Sequence, residues 1–292
     1  MNSTTDNSVP TVRTRADLLR QVAAWKRAGE TVGFVPTMGA LHGGHLSLVE
    51  KAREKASRVV VSIFVNPTQF APGEDFDTYP RTEESDLQKL ASVNADLAYL
   101  PGVEEMYPDG SLTNVRVESM SDLLDGLFRP HFFYGVATVV ARLFLHAQPD
   151  VAVFGEKDYQ QLQIIRRMVR DLGFPIEIIG APTARDADGL AQSSRNLYLS
   201  AEERRNAGAL QAALHRAAKR IGAGTLPSEA LGEATALLAS AGFGKIDYVS
   251  LVDPGTLQDL PDEVLAPGSA ARLLGAAWMG KTRLIDNISV TR

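Results

Sequence analysis

The residues best equipped for chemistry stand in one run, Pro36-Thr37-Met38-Gly39-Ala40-Leu41-His42-Gly43-Gly44-His45. His42 and His45 are three apart, so on a helix both imidazoles share a face and can donate hydrogen bonds to phosphate oxygens. Gly39, Gly43 and Gly44 remove side chains where a backbone and a ligand would meet. Upstream, Thr31-Val32-Gly33-Phe34-Val35 reads as a buried strand ended by Pro36. Downstream, Leu46, Leu48, Val49 and Ala52 recur at helical spacing, which predicts a helix starting near His42. The first amides of a helix are unpaired and its dipole is positive there, which favours a phosphate. Two other readings share these residues. A histidine pair can hold a metal, but structural zinc takes four ligands, and the chain has no Cys and three further His. The pair can also be ordinary helix surface.

The elements around this run must carry it. A second apolar run, Val59-Val60-Val61-Ser62-Ile63-Phe64-Val65, reads as a strand covered on both faces, so strand, helix and strand make a right-handed βαβ unit. Ligands of such sheets bind beyond the carboxyl ends of the strands. Those ends carry residues 36–45 and the loop Asn66-Pro67-Thr68-Gln69-Phe70, which continues through Gly73, Glu74 and Asp75 to Arg81. Gln69 can donate and accept at once, as a small hydroxy acid requires, although a solvated loop residue has the same composition. A helix follows over residues 82–93. Glu83, Glu84 and Asp86 in its first turns suit the helix dipole and could also attract magnesium.

Short strands are expected at residues 96–100 and 113–117, and an apolar helix at 135–147 flanked by His131 and His146, both read as structural. The strand Asp150-Val151-Ala152-Val153-Phe154 then runs into Gly155-Glu156-Lys157-Asp158-Tyr159-Gln160-Gln161 and a helix, repeating the logic of the first turn. Lys157 could sit over a phosphate, Asp158 could cap the helix or bind ribose, and Gln161 could face the same crevice; a plain capped helix start is the alternative. After a strand at 175–180, residues 183–196 are rich in donors. Ser193, Ser194 and Arg195 supply two hydroxyls and a planar cation suited to a triphosphate, or else form a hydrophilic linker.

Over 292 residues, 45% are hydrophobic and 22% charged, which bounds a globular chain of one large or two modest domains. A net charge of -5 argues against general nucleic-acid or anionic-membrane binding. The absence of Cys removes thiol nucleophiles and disulfides and suits a reducing cytosol. No apolar run nears the roughly 20 residues that span a bilayer. Residues 1–10 lack the apolar core of a secretion signal and, with 11–12, are expected to form a flexible tail. Alanine-rich helices at 201–221 and 228–241 and strands at 245–253, 271–279 and 282–290 make a second α+β set. The expected fold is therefore a Rossmann-like, doubly wound parallel sheet over residues 1–185, with a smaller α+β C-terminal lid domain over 186–292.

Four stretches in the same order resemble the pantothenate synthetases, or pantoate–β-alanine ligases, of the His-x-Gly-His nucleotidyltransferase superfamily. They are residues 36–42 with His45, Phe64-Val65-Asn66-Pro67 with Gln69-Phe70, residues 154–161, and Asp188-Gly189-Leu190-Ala191 with Ser193-Ser194-Arg195-Asn196. The resemblance implies ATP-dependent ligation of (R)-pantoate and β-alanine through pantoyl adenylate, releasing AMP and pyrophosphate. It implies catalytic roles for His42, His45, Lys157 and Arg195. ATP contacts would come from Met38, Gly39, Ala40, Leu41, His42, His45, Gly155, Glu156, Lys157, Asp158, Ala184, Gln192, Ser193, Ser194 and Arg195. Substrate contacts would come from Pro36, Thr37, Met38, Gln69 and Gln161. Mg²⁺ would accompany the triphosphate, with Asp86 as its residue in the chain. The resemblance also implies a cytoplasmic homodimer. Gly43 stands where the family commonly has an acid, and Gln192 where it usually has Met or Leu. Two further readings are a nucleotidyltransferase acting on a phosphorylated acceptor and a nucleotide sensor without turnover.

Overall fold

The computed structural model describes residues 9–71, 74 and 76–292. The expected tail over residues 1–8 and the loop positions Gly73 and Asp75 lie outside the described residues. In chain order the elements are β1 Thr11–Val12, α1 Arg15–Arg27, β2 Val32–Thr37, α2 Gly43–Arg53, β3 Arg58–Ile63, α3 Glu83–Ser92, β4 Leu97–Tyr99, α4 Val103–Met106 and α5 Asp125–Phe128. They continue with α6 Phe132–Ala147, β5 Val151–Gly155, α7 Tyr159–Leu172, β6 Glu177–Ala181, α8 Ala201–Ala207, α9 Ala209–Gly222, α10 Pro227–Ser240, β7 Phe243–Val252, β8 Ala270–Met279 and β9 Thr282–Thr291. The chain divides into two compact units. The first holds Met1–Ser121, Arg129–Glu156 and Ile164–Ala181; the second holds Asp122–Phe128, Lys157–Gln163 and Pro182–Arg292.

The first unit is built on a six-stranded sheet in the order β1-β4-β3-β2-β5-β6, parallel throughout. Val32, Phe34, Val35, Val59, Val60, Val61, Ala152 and Val153 are all buried, as strands covered on both faces require. Gly33 lets α2 press onto the sheet, since a Cβ there would lie 3.2 Å from the Ala56 Cβ and 3.3 Å from that of Ala52. From β2 the sheet extends through β3, β4 and the N-terminal β1 on one side and through β5 and β6 on the other. The order therefore reverses between β2 and β5, where such sheets take their ligands.

The β2–β3 ladder runs the full length to Thr37↔Ile63, but the β2–β5 ladder stops at Phe34↔Ala152. Thr37 gives its carbonyl to Phe64 on the β3 side, and Val32 gives its own to Asp150 on the β5 side. Pro36 shares the parity of Val32, so its missing N–H falls on the β5 side, where it offers no donor for a further rung.

Two expectations of secondary structure in the first unit need correction. Residues 11–12 are not a tail: Thr11 and Val12 pair with Ala98 and Tyr99, and Val9 is buried. Two residues carry no periodicity that could reveal this. Residues 113–117 form no strand; Val115 gives its N–H to the Thr138 hydroxyl at 2.9 Å, and Arg142 takes the Thr113 carbonyl at 3.2 Å.

The second unit packs α9 and α10 on the antiparallel sheet β7-β8-β9, around Leu210, Leu214, Ile221, Leu238 and Leu273. Gly275 admits Leu214, whose Cδ2 would stand 3.1 Å from a Cβ there. The single helix expected over 201–221 is two, divided at Gly208, where a Cβ would lie 2.8 Å from the Asp188 carbonyl oxygen. The 122–128 segment is tied into this unit by Asp125, which accepts from Tyr248 at 2.9 Å and Arg283 at 2.6 Å. Among the described residues no helix is long and apolar enough to cross a membrane.

Candidate active site

At the carboxyl end of β2 the turn is built around a buried carboxylate. The Thr37 hydroxyl donates to the Ser62 carbonyl at 2.7 Å and accepts from the Gly39 N–H at 3.3 Å. Gly39 (φ 85°) and Ala40 (φ 49°) are both left-handed. A side chain at Gly39 would in addition press on Ile63 and on Asp86, whose Oδ2 would be 3.2 Å from the Cβ. This backbone aims two successive amides at Asp86: Ala40 N–H at 2.9 Å and Leu41 N–H at 2.8 Å. Asp86 also accepts from the Thr82 hydroxyl at 3.1 Å, while Lys89 donates to the Leu41 carbonyl at 2.8 Å. Asp86 is fully buried, and both its oxygens accept backbone N–H groups. It is the anchor of the turn, a role its place in the first turns of a helix did not announce. The same contacts withdraw the Ala40 and Leu41 amides from ligand binding.

The helix begins where the spacing of Leu46, Leu48, Val49 and Ala52 predicts. His42 is the N-cap of α2, and its Nδ1 accepts the Gly44 N–H at 3.1 Å; the His45 Nδ1 accepts the His42 N–H at 3.4 Å. The two rings, 4.1 Å apart between centroids, thus form a capping box made of imidazoles. The amides expected to meet phosphate are partly used up, since Gly44 N–H goes to His42 and His45 N–H to the His42 carbonyl at 2.8 Å. In exchange the tautomer is set. With each Nδ1 accepting, the ring proton of each neutral imidazole sits on Nε2, the position from which it can donate to an anion.

Beyond β3, Gln69 is buried in the short 3-10 turn Pro67–Gln69, and its orientation is dictated by Asn66. Asn66 Nδ2 donates to Gln69 Oε1 at 2.9 Å and to the Gly135 carbonyl at 3.2 Å; its Oδ1 accepts from Tyr107 at 2.8 Å and Thr68 Oγ1 at 3.0 Å. Gln69 therefore keeps its amide NH₂ as the group to offer a carboxylate or hydroxyl. Arg129 takes the Gln69 carbonyl at 3.2 Å and pairs with Glu74 at 2.8 Å. Sequence reasoning passed over Asn66 and Tyr107 as site residues. Asn66 meets Tyr107 and Gly135 across 41 and 69 residues of chain, out of reach of any local pattern.

In the first unit, then, residues 36–45 and the half-buried Gly155 and Glu156 stand at the carboxyl ends of the adjacent strands β2 and β5, with Gln69 following β3. Pro36, Thr37 and Met38 are half-buried there. The second unit holds the remaining expected residues. The half-buried Lys157 ammonium lies 3.5 Å from Asp158, and Gln161 is half-buried on α7. The Gln192 N–H meets the Ala184 carbonyl at 2.9 Å across the bridge Arg185↔Ala191, which brings those two expected residues together. Ser193 caps the 3-10 turn Ser194–Tyr198, accepting from the Arg195 N–H at 3.3 Å. Gln192 Nε2 donates to Asp186 at 3.1 Å, and Arg204 pairs with Asp186 at 2.9 Å. Among the described residues no three His, Asp or Glu cluster as metal ligands.

A parallel sheet that reverses its order between β2 and β5, with a histidine-capped helix at one of those strand ends, defines a Rossmann-like α/β protein. The profile of the pantoate–β-alanine ligase family matches residues 10–289. The pantothenate synthetase of Hyphomonas neptunium is 76% identical over the whole of both chains. A crystal structure of the Thermus thermophilus pantothenate synthetase superposes with a TM-score of 0.90 at 50% identity, covering 97% of this chain and 100% of that one. The Francisella tularensis pantoate–β-alanine ligase, crystallised with β-γ ATP and β-alanine, gives 0.77 at 34% identity, over 96% of this chain and 97% of that one. The chain belongs to the pantoate–β-alanine ligase family.

Proposed function

We propose that this ligase joins (R)-pantoate to β-alanine in two steps, with ATP as co-substrate. A pantoate carboxylate oxygen attacks the α-phosphorus, forming the new O–P bond as the bond to pyrophosphate breaks. The β-alanine amine then attacks the pantoyl carbonyl, loses a proton, and AMP departs with the oxygen from pantoate. Because the substrate supplies the nucleophile, the chain has only to orient the reactants and neutralise phosphoryl charge. The observation that carries this reading is the imidazole capping box, which sets two Nε2–H donors at the end of β2.

In this reading His42, His45, Lys157 and Arg195 contact the phosphates. Met38, Gly39, Ala40, Leu41, Gly155, Glu156, Asp158, Ala184, Gln192, Ser193 and Ser194 line ATP. Gln69 and Gln161 hold pantoate beside Pro36, Thr37 and Met38. Both oxygens of Asp86 are used by backbone amides, and among the described residues no three acids or histidines gather as a magnesium cage. Mg²⁺ would arrive as part of the nucleotide, held by phosphate oxygens and water, and would screen their charge. The family likeness supports a homodimer working in the cytoplasm. The test is pyrophosphate release that requires ATP and pantoate together, followed by transfer of ¹⁸O from labelled pantoate into AMP. Unlabelled AMP would exclude attack by the carboxylate.

A further inference from the structure

We propose that Asp286 and Asn287, neighbours on β9, are positioning residues for the phosphate-handling groups of the second unit. Asn287 sets the turn that carries Lys157, and Asp286 sets the one that delivers Ser193, Ser194 and Arg195. The inference rests on the roles given to those residues under Proposed function.

Asn287 Nδ2 donates to the Lys157 carbonyl at 2.8 Å, while its Oδ1 accepts from Arg272 Nε at 2.7 Å, so the amide cannot turn over. The Arg272 guanidinium lies 4.1 Å from the centre of the Tyr159 ring. The residues on either side of Asp158 are thereby held from one strand pair. A lysine ammonium rides on four flexible carbons, so the fixing of its backbone decides where it reaches.

Asp286 is buried, with its side chain 2% exposed, and engages Arg185 through both oxygens at 2.6 and 2.9 Å. Its Oδ1 also accepts the Asn287 N–H at 2.7 Å. The same Arg185 nitrogen that meets Asp286 Oδ2 donates to the Gly189 carbonyl at 2.9 Å. Arg185 thus closes the 185–191 bridge from inside, and Ser193 follows two residues on. One dipeptide on a strand paired along its whole length to β8 serves both turns, which is the rigid support that an ordered anion site needs.

The test uses the full chain and reads pantoate-dependent pyrophosphate release. Asn287→Asp keeps the shape of the side chain and removes the donor to Lys157. Its kcat should fall about ten- to a hundredfold with the pantoate KM unchanged. In a Lys157→Ala background the same change should cost less than about threefold, because the effect passes through that lysine. Asp286→Asn should behave likewise against Arg195→Ala. Full activity in Asn287→Asp, or an undiminished loss in the Lys157→Ala background, overturns the proposal. Should Asn287→Asp not fold, Arg272→Gln removes the donor to Asn287 Oδ1 and is read the same way. A wild-type enzyme without pantoate-dependent release would instead overturn the reading of the reaction, and this proposal with it.

Discussion

Leu41 gives its backbone N–H to the Asp86 carboxylate at 2.8 Å, across 45 residues of chain. The turn that presents the two histidines is thus held by a charge on another helix. Asp86→Asn turns an NH₂ towards one of the two amides and leaves it unpaired in a buried site. Urea unfolding should lose about 2 kcal/mol, and kcat should fall with it. The Mg²⁺ concentration for half-maximal rate should stay where it is; a large rise would return Asp86 to the metal.

The imidazole capping box calls for Nε2–H tautomers at both His42 and His45. Nitrogen chemical shifts of the histidine rings at neutral pH should report a protonated Nε2 for each. His42→Ala should slow adenylate formation by about a hundredfold or more, while removal of a cap costs about 1 kcal/mol of stability. Single-turnover release near the wild-type rate would strip His42 of its part in the chemistry.

Asn66 orients Gln69, so the two should fail in the same manner. Gln69→Ala should raise the pantoate KM by about tenfold or more, as expected for a hydrogen bond to a charged group. Asn66→Ala should do the same with Gln69 intact. An unaltered KM in Gln69→Ala would put the acid elsewhere.

His146 makes the fold sensitive to acid. Its Nδ1 lies 3.0 Å from the Tyr99 hydroxyl, and burial, aided by the Arg15 and Arg142 cations against Glu105, pulls its pKa from 6.5 down to about 4. Between those values the unfolded chain binds a proton that the native chain refuses, so stability is lost as pH falls from 6.5 towards 4. The full loss is about 3 kcal/mol. Denaturant melts of His146→Asn should be flatter over that window than wild type; identical slopes would contradict a neutral buried imidazole.

What the chain makes legible in advance is local or periodic. The start of α2 at His42, the apolar β3, and the turn after β5 follow from spacing and from glycine. What escaped was long-range. Asp86 looked like a helix-start acid until its partners, Ala40 and Leu41, came within reach through the fold. Thr11 and Val12 are a strand only because β4 offers them an edge. The 122–128 segment belongs with the second unit through Asp125, whose partners Tyr248 and Arg283 are more than a hundred residues away. Side chains that act on other side chains leave no pattern in the string of letters.

Pro36 has one more implication. A parallel sheet with matched strands would zip along its length, yet here the pairing of β2 with β5 ends at Phe34 while β2 runs on to Thr37. The parting of β2 from β5 beyond Phe34 is therefore written into the backbone itself. An imino acid with no hydrogen to donate leaves the next step of that seam without its donor from the moment the chain folds.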